Sequence, residues 1–189
     1  MIFDEKKITL KNGTEAILKT PEIEDAEKML ENVKVCSDET DFFAKNADDW
    51  ADTTVQSEEE WIKNNRESEN NLLIACYING EIAGSCGIDF QNGRKTFHRA
   101  VLGITIRKKY WNIGIGSAMF CELMKAAEEN DKTEIVELEF VEGNDRAKAL
   151  YEKFGFKSVS VKPKYFKRKD GTYQNLVYMQ KILRGEKDV

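Results

Sequence analysis

The residues best suited to binding chemistry lie in a short loop that contains two glycines, Gly114 and Gly116. An alternating apolar run ends at Ile106 before the loop, and an apolar pattern with helical spacing begins directly after it. Glycine allows the backbone to approach a ligand closely, and the first amides of a helix are free to donate at the positive end of its dipole. The pattern predicts an anion site that suits a phosphate group, although a turn whose glycines serve only packing would look the same.

The loop departs from two common phosphate-binding patterns. Gly114 and Gly116 form G-x-G without the third glycine of a dinucleotide fingerprint, and no acidic residue follows about twenty residues later after a matching strand. The sequence also lacks the G-K-[ST] of the nucleoside triphosphate loop. Both nucleotide classes are therefore disfavoured.

A second segment, from Asn144 to Phe156, has the pattern of a short helix. Asn144 is a preferred N-cap residue, and Gly155 favours the end of a helix. An apolar stripe runs between them through Ala147, Leu150, Tyr151 and Phe154. Tyr151 fits either a half-buried core aromatic or a hydroxyl placed for proton transfer, and the pattern alone leaves both interpretations open.

A sheet with flanking helices must hold these two segments. Alternating apolar residues and Asn-Gly turns predict hairpins, and the elements follow the order ββααβββαβαββ. One strand–helix–strand passage implies a parallel pair. Thr20-Pro21 predicts the start of the first helix, Ser57–Glu60 the capping box of the second, and later helices are expected near 115–129 and 144–154. We expect a single domain over residues 1–189.

Composition limits the classes of function. The 189 residues carry a net charge of −5, which argues against nucleic-acid binding. No apolar stretch approaches the about 18 residues of a membrane span, and the first residues lack the pattern of a signal peptide. One histidine, His98, and four scattered cysteines predict no metal site, with reduced thiols in a cytoplasmic protein.

Taken together, Ile104–Ser117 and Glu139–Phe156 resemble, in order and spacing, the GNAT superfamily of acetyl-CoA-dependent N-acetyltransferases, and the resemblance covers most of the chain. It implies an α/β (α+β) fold with a mixed, mostly antiparallel sheet of about seven strands and flanking helices. It also implies acetyl-CoA as the cosubstrate, with no metal. The residues that would hold it are the strand end Ile104, Thr105 and Ile106, the loop Asn112, Ile113, Gly114, Ile115, Gly116 and Ser117, and Asn144 beside the pantetheine arm. The family usually has Gln or Arg where this chain has Trp111.

The resemblance also assigns catalytic roles. Tyr151 would protonate the departing thiolate, and Glu139 falls where some members carry the general base. A free amine has a pKa of about 10.4 and must lose a proton before it attacks. A solvent-facing carboxylate is the alternative interpretation of Glu139, and His98 and Asp89 are weaker candidates for the base.

The residues also bear on the route of acetyl transfer and on the class of acceptor. Cys86 and Cys121 have no apparent base partner, so direct attack in a ternary complex is favoured over a covalent intermediate. The early helices and the loop after them usually border the acceptor site in this fold. Acidic clusters there suggest a small cationic amine, a solvated acidic face is the alternative, and a protein amino group is the other acceptor class. The acids are Asp48, Asp49, Asp52, Glu58, Glu59 and Glu60. The aromatics Phe42, Phe43, Trp50 and Trp61 fit either the lining of an acceptor pocket or core packing.

Two functions from other classes stay open. One is a non-catalytic acyl-CoA-binding sensor or regulatory module. The other is an adaptor in which the G-x-G serves packing alone. We expect neither a nucleic acid nor a membrane as partner, and a homodimer is the assembly considered.

Overall fold

The computed structural model describes residues 1–185, and one eight-stranded sheet forms the centre of this region. The strands are β1 (Lys6–Thr9), β2 (Glu15–Lys19), β3 (Asn71–Ile78), β4 (Glu81–Phe90), β5 (Arg99–Ile106), β6 (Ile135–Val141), β7 (Lys157–Lys167) and β8 (Tyr173–Ile182). Their spatial order is β1-β2-β3-β4-β5-β6-β8-β7, and only β5 and β6 run parallel. The predicted mixed sheet and its one parallel pair are confirmed, with eight strands rather than about seven.

Four helices flank the sheet in the described region: α1 (Ala26–Glu39), α2 (Val55–Glu67), α3 (Ile115–Glu129) and α4 (Asp145–Lys153). The last two match their predicted bounds closely. The predicted starts of the first two were wrong. A 3-10 turn at Ile23–Asp25 precedes α1, and the Thr20 hydroxyl donates instead to the carbonyl of Leu73. Thr54 is the N-cap of α2, so Ser57 belongs to its first turn. None of the four is long and apolar enough to cross a membrane.

The helices cover opposite faces of the sheet because alternate strand residues point to opposite sides. On one face, Leu138 and Phe140 of β6 join a core with Phe120 of α3 and Tyr151 of α4. On the other face, Met29 of α1 and Ile62 of α2 pack with Leu73, Ala75 and Tyr77 of β3. The sheet thus separates an α3–α4 side from an α1–α2 side.

The two parallel strands pair only at their starts. β5 and β6 are joined over Arg99–Val101 and Ile135–Glu137, where the Arg99 guanidinium donates to the Glu137 carboxylate at 2.8 Å and to the Tyr178 hydroxyl at 2.6 Å. Beyond this point β5 stays with β4 as far as Ile106, and β6 stays with β8. A wedge therefore opens between the two strand ends and leaves one edge of β5 unpaired.

Candidate active site

A cleft of about 480 Å³ lies along the end of β5, where that strand has separated from β6. Its walls are the end of β5, the loop before α3, the inner side of α4 and the end of α1 with the segment that follows it. Among the described residues, the only charged side chains that line it are Lys11, Arg146 and Lys153. An acidic protein thus presents a cationic cleft, which favours a polyanionic ligand.

The loop before α3 presents unpaired amides to this cleft. Gly114 is the N-cap of α3, has a φ of +103° and supplies no capping side chain. The first helical hydrogen bond runs from the Ala118 amide to the Gly114 carbonyl at 3.1 Å, which leaves the amides of residues 115–117 without a partner inside the helix. These are the features of the predicted phosphate site.

Gly116 has a different role from Gly114. A Cβ atom on Gly116 would lie 3.2 Å from Leu150 of α4 and 3.3 Å from Ile106 of β5. Gly116 therefore allows α3 to approach both neighbours, while Gly114 supplies a backbone conformation that other residues rarely adopt. The phosphate-site interpretation of the G-x-G pattern therefore fits Gly114, and the packing interpretation fits Gly116.

The free edge of β5 offers backbone groups beyond the loop. The Arg107 amide donates to the carbonyl of Ala83 in β4 at 3.0 Å, so by alternation the groups of Ile104 and Ile106 point into the cleft. One of them is already occupied, because the indole of Trp111 donates to the Ile106 carbonyl at 2.7 Å. The Ile106 amide and both backbone groups of Ile104 remain for a ligand.

Trp111 also connects the loop with α4. The guanidinium carbon of Arg146 lies 3.1 Å from the centre of the indole ring, a cation–π contact across the mouth of the cleft. Sequence reasoning noted Trp111 as a departure from the family pattern but missed both contacts. The spacing of Arg146 and Lys153 could have indicated a shared face of α4, since residues seven apart lie on the same side of a helix.

Asn144 and Tyr151 line the cleft from α4. The Asn144 side chain caps the helix by accepting from the Ala147 amide at 3.2 Å. Tyr151 is only 6% exposed and packs against the rings of Phe120 and Phe140. Its hydroxyl has no hydrogen-bond partner among the described residues, and burial raises the pKa of the phenol to about 12. Tyr151 is thus both a core aromatic and a protonated hydroxyl at the cleft.

Glu139 lies outside the cleft lining and on the other face of the sheet from Tyr151. Its neighbours Leu138 and Phe140 point to the α3–α4 side, so Glu139 points to the α1–α2 side. Its carboxylate accepts from the Lys162 ammonium at 2.6 Å, and its side chain is 38% exposed. Ile113 is also absent from the lining, although its carbonyl binds the Lys11 amide.

The weaker candidates for the base lie away from the cleft. His98 comes just before β5 begins, whereas the cleft follows the end of that strand. The His98 carbonyl accepts from the amides of Glu134 and Ile135. Asp89 lies near the end of β4 that pairs with the start of β5, where its side chain accepts from Gln91.

Buried thiols in the described region are poor nucleophiles. Cys36 lines the cleft, and burial, with a smaller contribution from Glu39, raises its pKa to about 12. Burial also raises the pKa of Cys86 well above its usual value. The thiolate is the reactive form, so these two side chains offer no ready nucleophile. No cluster of His, Cys, Asp or Glu that could hold a metal occurs in residues 1–185.

The segment after α1 closes the opposite end of the cleft. Thr40, Phe42 and Phe43 line it, and the Phe42 ring lies 3.8 Å from where a Cβ of Gly143 would be. Trp50 and Trp61 do not line it: the Trp50 indole donates to the Ser37 hydroxyl, and Trp61 is 44% exposed on α2.

The hairpin between β7 and β8 holds this segment in place. Gln174 donates to the Asp41 carbonyl at 2.9 Å, Arg168 lies 3.6 Å from the Asp41 carboxylate, and Lys169 pairs with Asp48. Glu58 is buried in α2, which raises its pKa. None of the acidic clusters considered for a cationic acceptor lines the cleft in the described region.

Comparison with known proteins identifies relatives of this chain. Residues 33–156 match the family model described as acetyltransferase (GNAT) family. The chain is 30% identical over 110 residues to the L-amino acid N-acetyltransferase AaaT of Escherichia coli (strain K12), an alignment that covers 58% of this chain and 67% of AaaT. It is 31% identical over 115 residues to a probable N-acetyltransferase, san, of Drosophila melanogaster, covering 60% of each protein.

Solved structures agree with these matches. A GNAT-family acetyltransferase from Streptococcus pneumoniae superposes with a TM-score of 0.82 and 26% identity, over 89% of this chain and 99% of that one. The putative acetyltransferase yncA of Salmonella typhimurium, solved with its cofactor acetyl-CoA, superposes with a TM-score of 0.76 over 91% of this chain and 96% of that one. Its identity of 12% relates the two folds alone.

Proposed function

The chain belongs to the GNAT family of acetyltransferases, and we propose that it transfers the acetyl group of acetyl-CoA to a primary amine by direct attack in a ternary complex. Acetyl-CoA-dependent acetyltransferase activity follows from its relatives. The observation that carries the rest of the proposal is the order of groups along one cleft: free helix amides, a free strand edge and the protonated hydroxyl of Tyr151.

Along the cleft, these groups follow the same order as the parts of acetyl-CoA that they would bind. The amides at the start of α3, together with the cationic side chains around them, suit the pyrophosphate. The free groups of Ile104 and the Ile106 amide suit the amides of the pantetheine arm, which would pair with β5 as a neighbouring strand does. The Asn144 side chain, also in the lining, stands beside that arm in this arrangement.

Catalysis needs a proton acceptor for the amine and a proton donor for the thiolate. The amine nitrogen forms a bond to the acetyl carbon, the carbon–sulfur bond breaks, and the proton of Tyr151 passes to sulfur. A proton from solvent then restores the Tyr151 phenol. We assign the amine proton to Glu139 because some members of the family carry their base at this position. Since Glu139 does not line the cleft, the proton would reach it through a water molecule. Acid and base would then act from opposite faces of the sheet. The raised thiol pKa values of Cys36 and Cys86 favour this direct route over a covalent intermediate.

For the acceptor, we propose a small amine that also carries a carboxylate, such as an α-amino acid. Its support is the naming of AaaT as an L-amino acid N-acetyltransferase, together with the charges of the cleft. The acidic clusters considered for a polyamine lie outside the lining, and the charged side chains of the described region that do line the cleft are the cations Lys11, Arg146 and Lys153. A protein amino group is the second acceptor class to be compared.

The experiment is a screen for thiol release from acetyl-CoA with amino acids, polyamines and peptides with free N-termini, run beside thermal shifts with CoA. We expect release with one or more amino acids and a rise in melting temperature with CoA, because a bound ligand stabilises the folded state. A thermal shift without release across the whole panel would support the sensor, and release with polyamines alone would overturn the proposed acceptor. A cytoplasmic location, a single domain over residues 1–189 and a homodimer remain predictions from the sequence.

A further inference from the structure

We propose that Lys11, in the turn between β1 and β2, binds the phosphates of CoA and makes the enzyme selective for CoA thioesters over pantetheine thioesters. This rests on the proposed cofactor site at the start of α3. Lys11 lies outside residues 33–156, which the family model matches. Lys11 would thus reach the cofactor site from a hairpin near the start of the sequence, far along the chain from α4.

The backbone of Lys11 is fixed beside the phosphate loop. Its amide donates to the Ile113 carbonyl at 3.0 Å. The residue before it, Leu10, is buried in the core, and its amide donates to the Thr14 carbonyl at 2.8 Å. The turn is therefore tied both to the core and to the loop, so the side chain of Lys11 starts from a defined position.

The side chain of Lys11 lies over the N-cap of α3. A Cβ atom on Gly114 would be 3.3 Å from Cγ of Lys11 and 3.8 Å from its Cε. Lys11 also lines the cleft. Its aliphatic stem thus packs against Gly114, which precedes the amides that are proposed to bind the pyrophosphate.

The charge of Lys11 has no acidic partner among the residues that the structure describes. Lys6, in the same hairpin, differs in this respect, because its ammonium pairs with Glu122 of α3 at 2.9 Å. Across the cleft, the Lys153 ammonium donates to the Ser117 hydroxyl at 3.2 Å. A phosphate at the start of α3 would thus meet cations from the hairpin and from α4. A lysine ammonium suits phosphate as a point charge.

The test compares Lys11→Met, which keeps the stem and removes the charge, with the wild-type enzyme on two thioesters. With acetyl-CoA, we expect KM to rise about tenfold at unchanged kcat, because a hydrogen bond to a charged group is lost. With S-acetylpantetheine, which lacks the phosphates, KM should stay the same. Lys11→Arg should restore the KM for acetyl-CoA, and Lys6→Met should leave it unchanged.

Two outcomes would overturn the proposal. Equal rises in KM for both thioesters would mean that Lys11 acts only by supporting the loop, and an unchanged KM for acetyl-CoA would mean that it does not bind phosphate. A binding measurement gives an independent check: CoA should raise the melting temperature of Lys11→Met less than that of the wild type, whereas pantetheine should affect both equally. Failure of the wild-type enzyme to release thiol with any amine would count against the proposed function instead.

Discussion

The two ends of the cleft are built from different parts of the chain. The proposed phosphate end consists mainly of backbone: the N-cap glycine, the amides at the start of α3 and the free edge of β5. The proposed acceptor end consists of side chains on the segment after α1, held by polar contacts such as that from Gln174 to the Asp41 carbonyl. A site made of backbone tolerates changes in most side chains, whereas a site made of side chains changes with them. We therefore expect the cofactor site to be shared with the family and the acceptor preference to depend on this chain's own side chains.

Tyr151→Phe tests the proposed acid, which lies between the two ends of the cleft, and should have the largest effect of these variants. We expect kcat to fall by about 10²–10⁴-fold, the range of general acid catalysis. The melting temperature should hold, because the hydroxyl has no partner in the described region to lose. Since burial raises the pKa of this phenol to about 12, the loss should be similar at neutral and mildly alkaline pH.

Tyr77→Phe is the matched control for this variant. Tyr77 is a buried tyrosine on the α1–α2 side, and its hydroxyl donates to Asp25 at 2.6 Å. We expect the opposite pattern: a loss of about 1 kcal/mol in the free energy of unfolding at unchanged kcat. Normal turnover in Tyr151→Phe would end the proposed role of Tyr151 as an acid.

Glu139→Gln tests the acceptor side of the reaction. We expect kcat to fall by about 10²-fold or more at neutral pH, and by less at high pH, where more of the amine is already neutral. Lys162→Met breaks the same ion pair but keeps the carboxylate, so it should retain most of the turnover. If Glu139→Gln and Lys162→Met lowered kcat by the same factor, the ion pair would be structural and another group would have to take the proton.

Gly114→Ala tests the proposed phosphate end, which is built mainly from backbone. The φ of +103° disfavours any residue with a Cβ, and that atom would meet the Lys11 side chain at 3.3 Å. Because the loop must shift, we expect KM for acetyl-CoA to rise about tenfold, in line with a strain of one to two kcal/mol. Gly80→Ala places the same strain at an open turn between β3 and β4, and should lower stability while leaving KM unchanged.

Gln174→Leu tests the proposed acceptor end of the cleft and should have the smallest effect of these variants. Loss of its hydrogen bond to the Asp41 carbonyl should loosen the segment that carries Phe42 and Phe43. We expect KM for the amine to rise about twofold to tenfold, with KM for acetyl-CoA unchanged. Gln91→Leu removes an amide that bonds within its own turn and should change neither constant. A rise in KM for acetyl-CoA instead would show that the two ends are not independent.

The difference between the two ends also explains what the sequence could predict. The bounds of α3 and the phosphate loop were predictable because Gly114 and the apolar spacing after it record local backbone conformation. The contact between Gln174 and Asp41 joins residues 133 apart in sequence, and no local pattern indicates such a pair. The bond from the Trp111 indole to the Ile106 carbonyl was missed for a related reason, since it depends on how the loop folds back over the strand.

Local signals also failed where two residues offered the same chemistry. Thr54 and Ser57 are both good capping residues, and each side chain bonds the backbone of the other, so the pattern fitted a start three residues too late. Thr20 looked like a cap because it precedes Pro21, but its hydroxyl bonds to β3 across the chain. A local capping box decided the first case, and a tertiary contact decided the second.

The cluster of Arg99, Glu137 and Tyr178 has a consequence for strand register. The parallel ladder between β5 and β6 has only three residue pairs, whereas the antiparallel ladder between β6 and β8 has seven. A slip of one residue in β6 would turn every side chain of that strand to the other face, which would bury Glu139 and expose Leu138. The Tyr178 hydroxyl accepts from Arg99 and donates to Glu137 at 2.7 Å, so the cluster links β5, β6 and β8 at one level. Three polar side chains thus reinforce, at the β5 side, the alignment that keeps the proposed acid and base on opposite sides of the sheet.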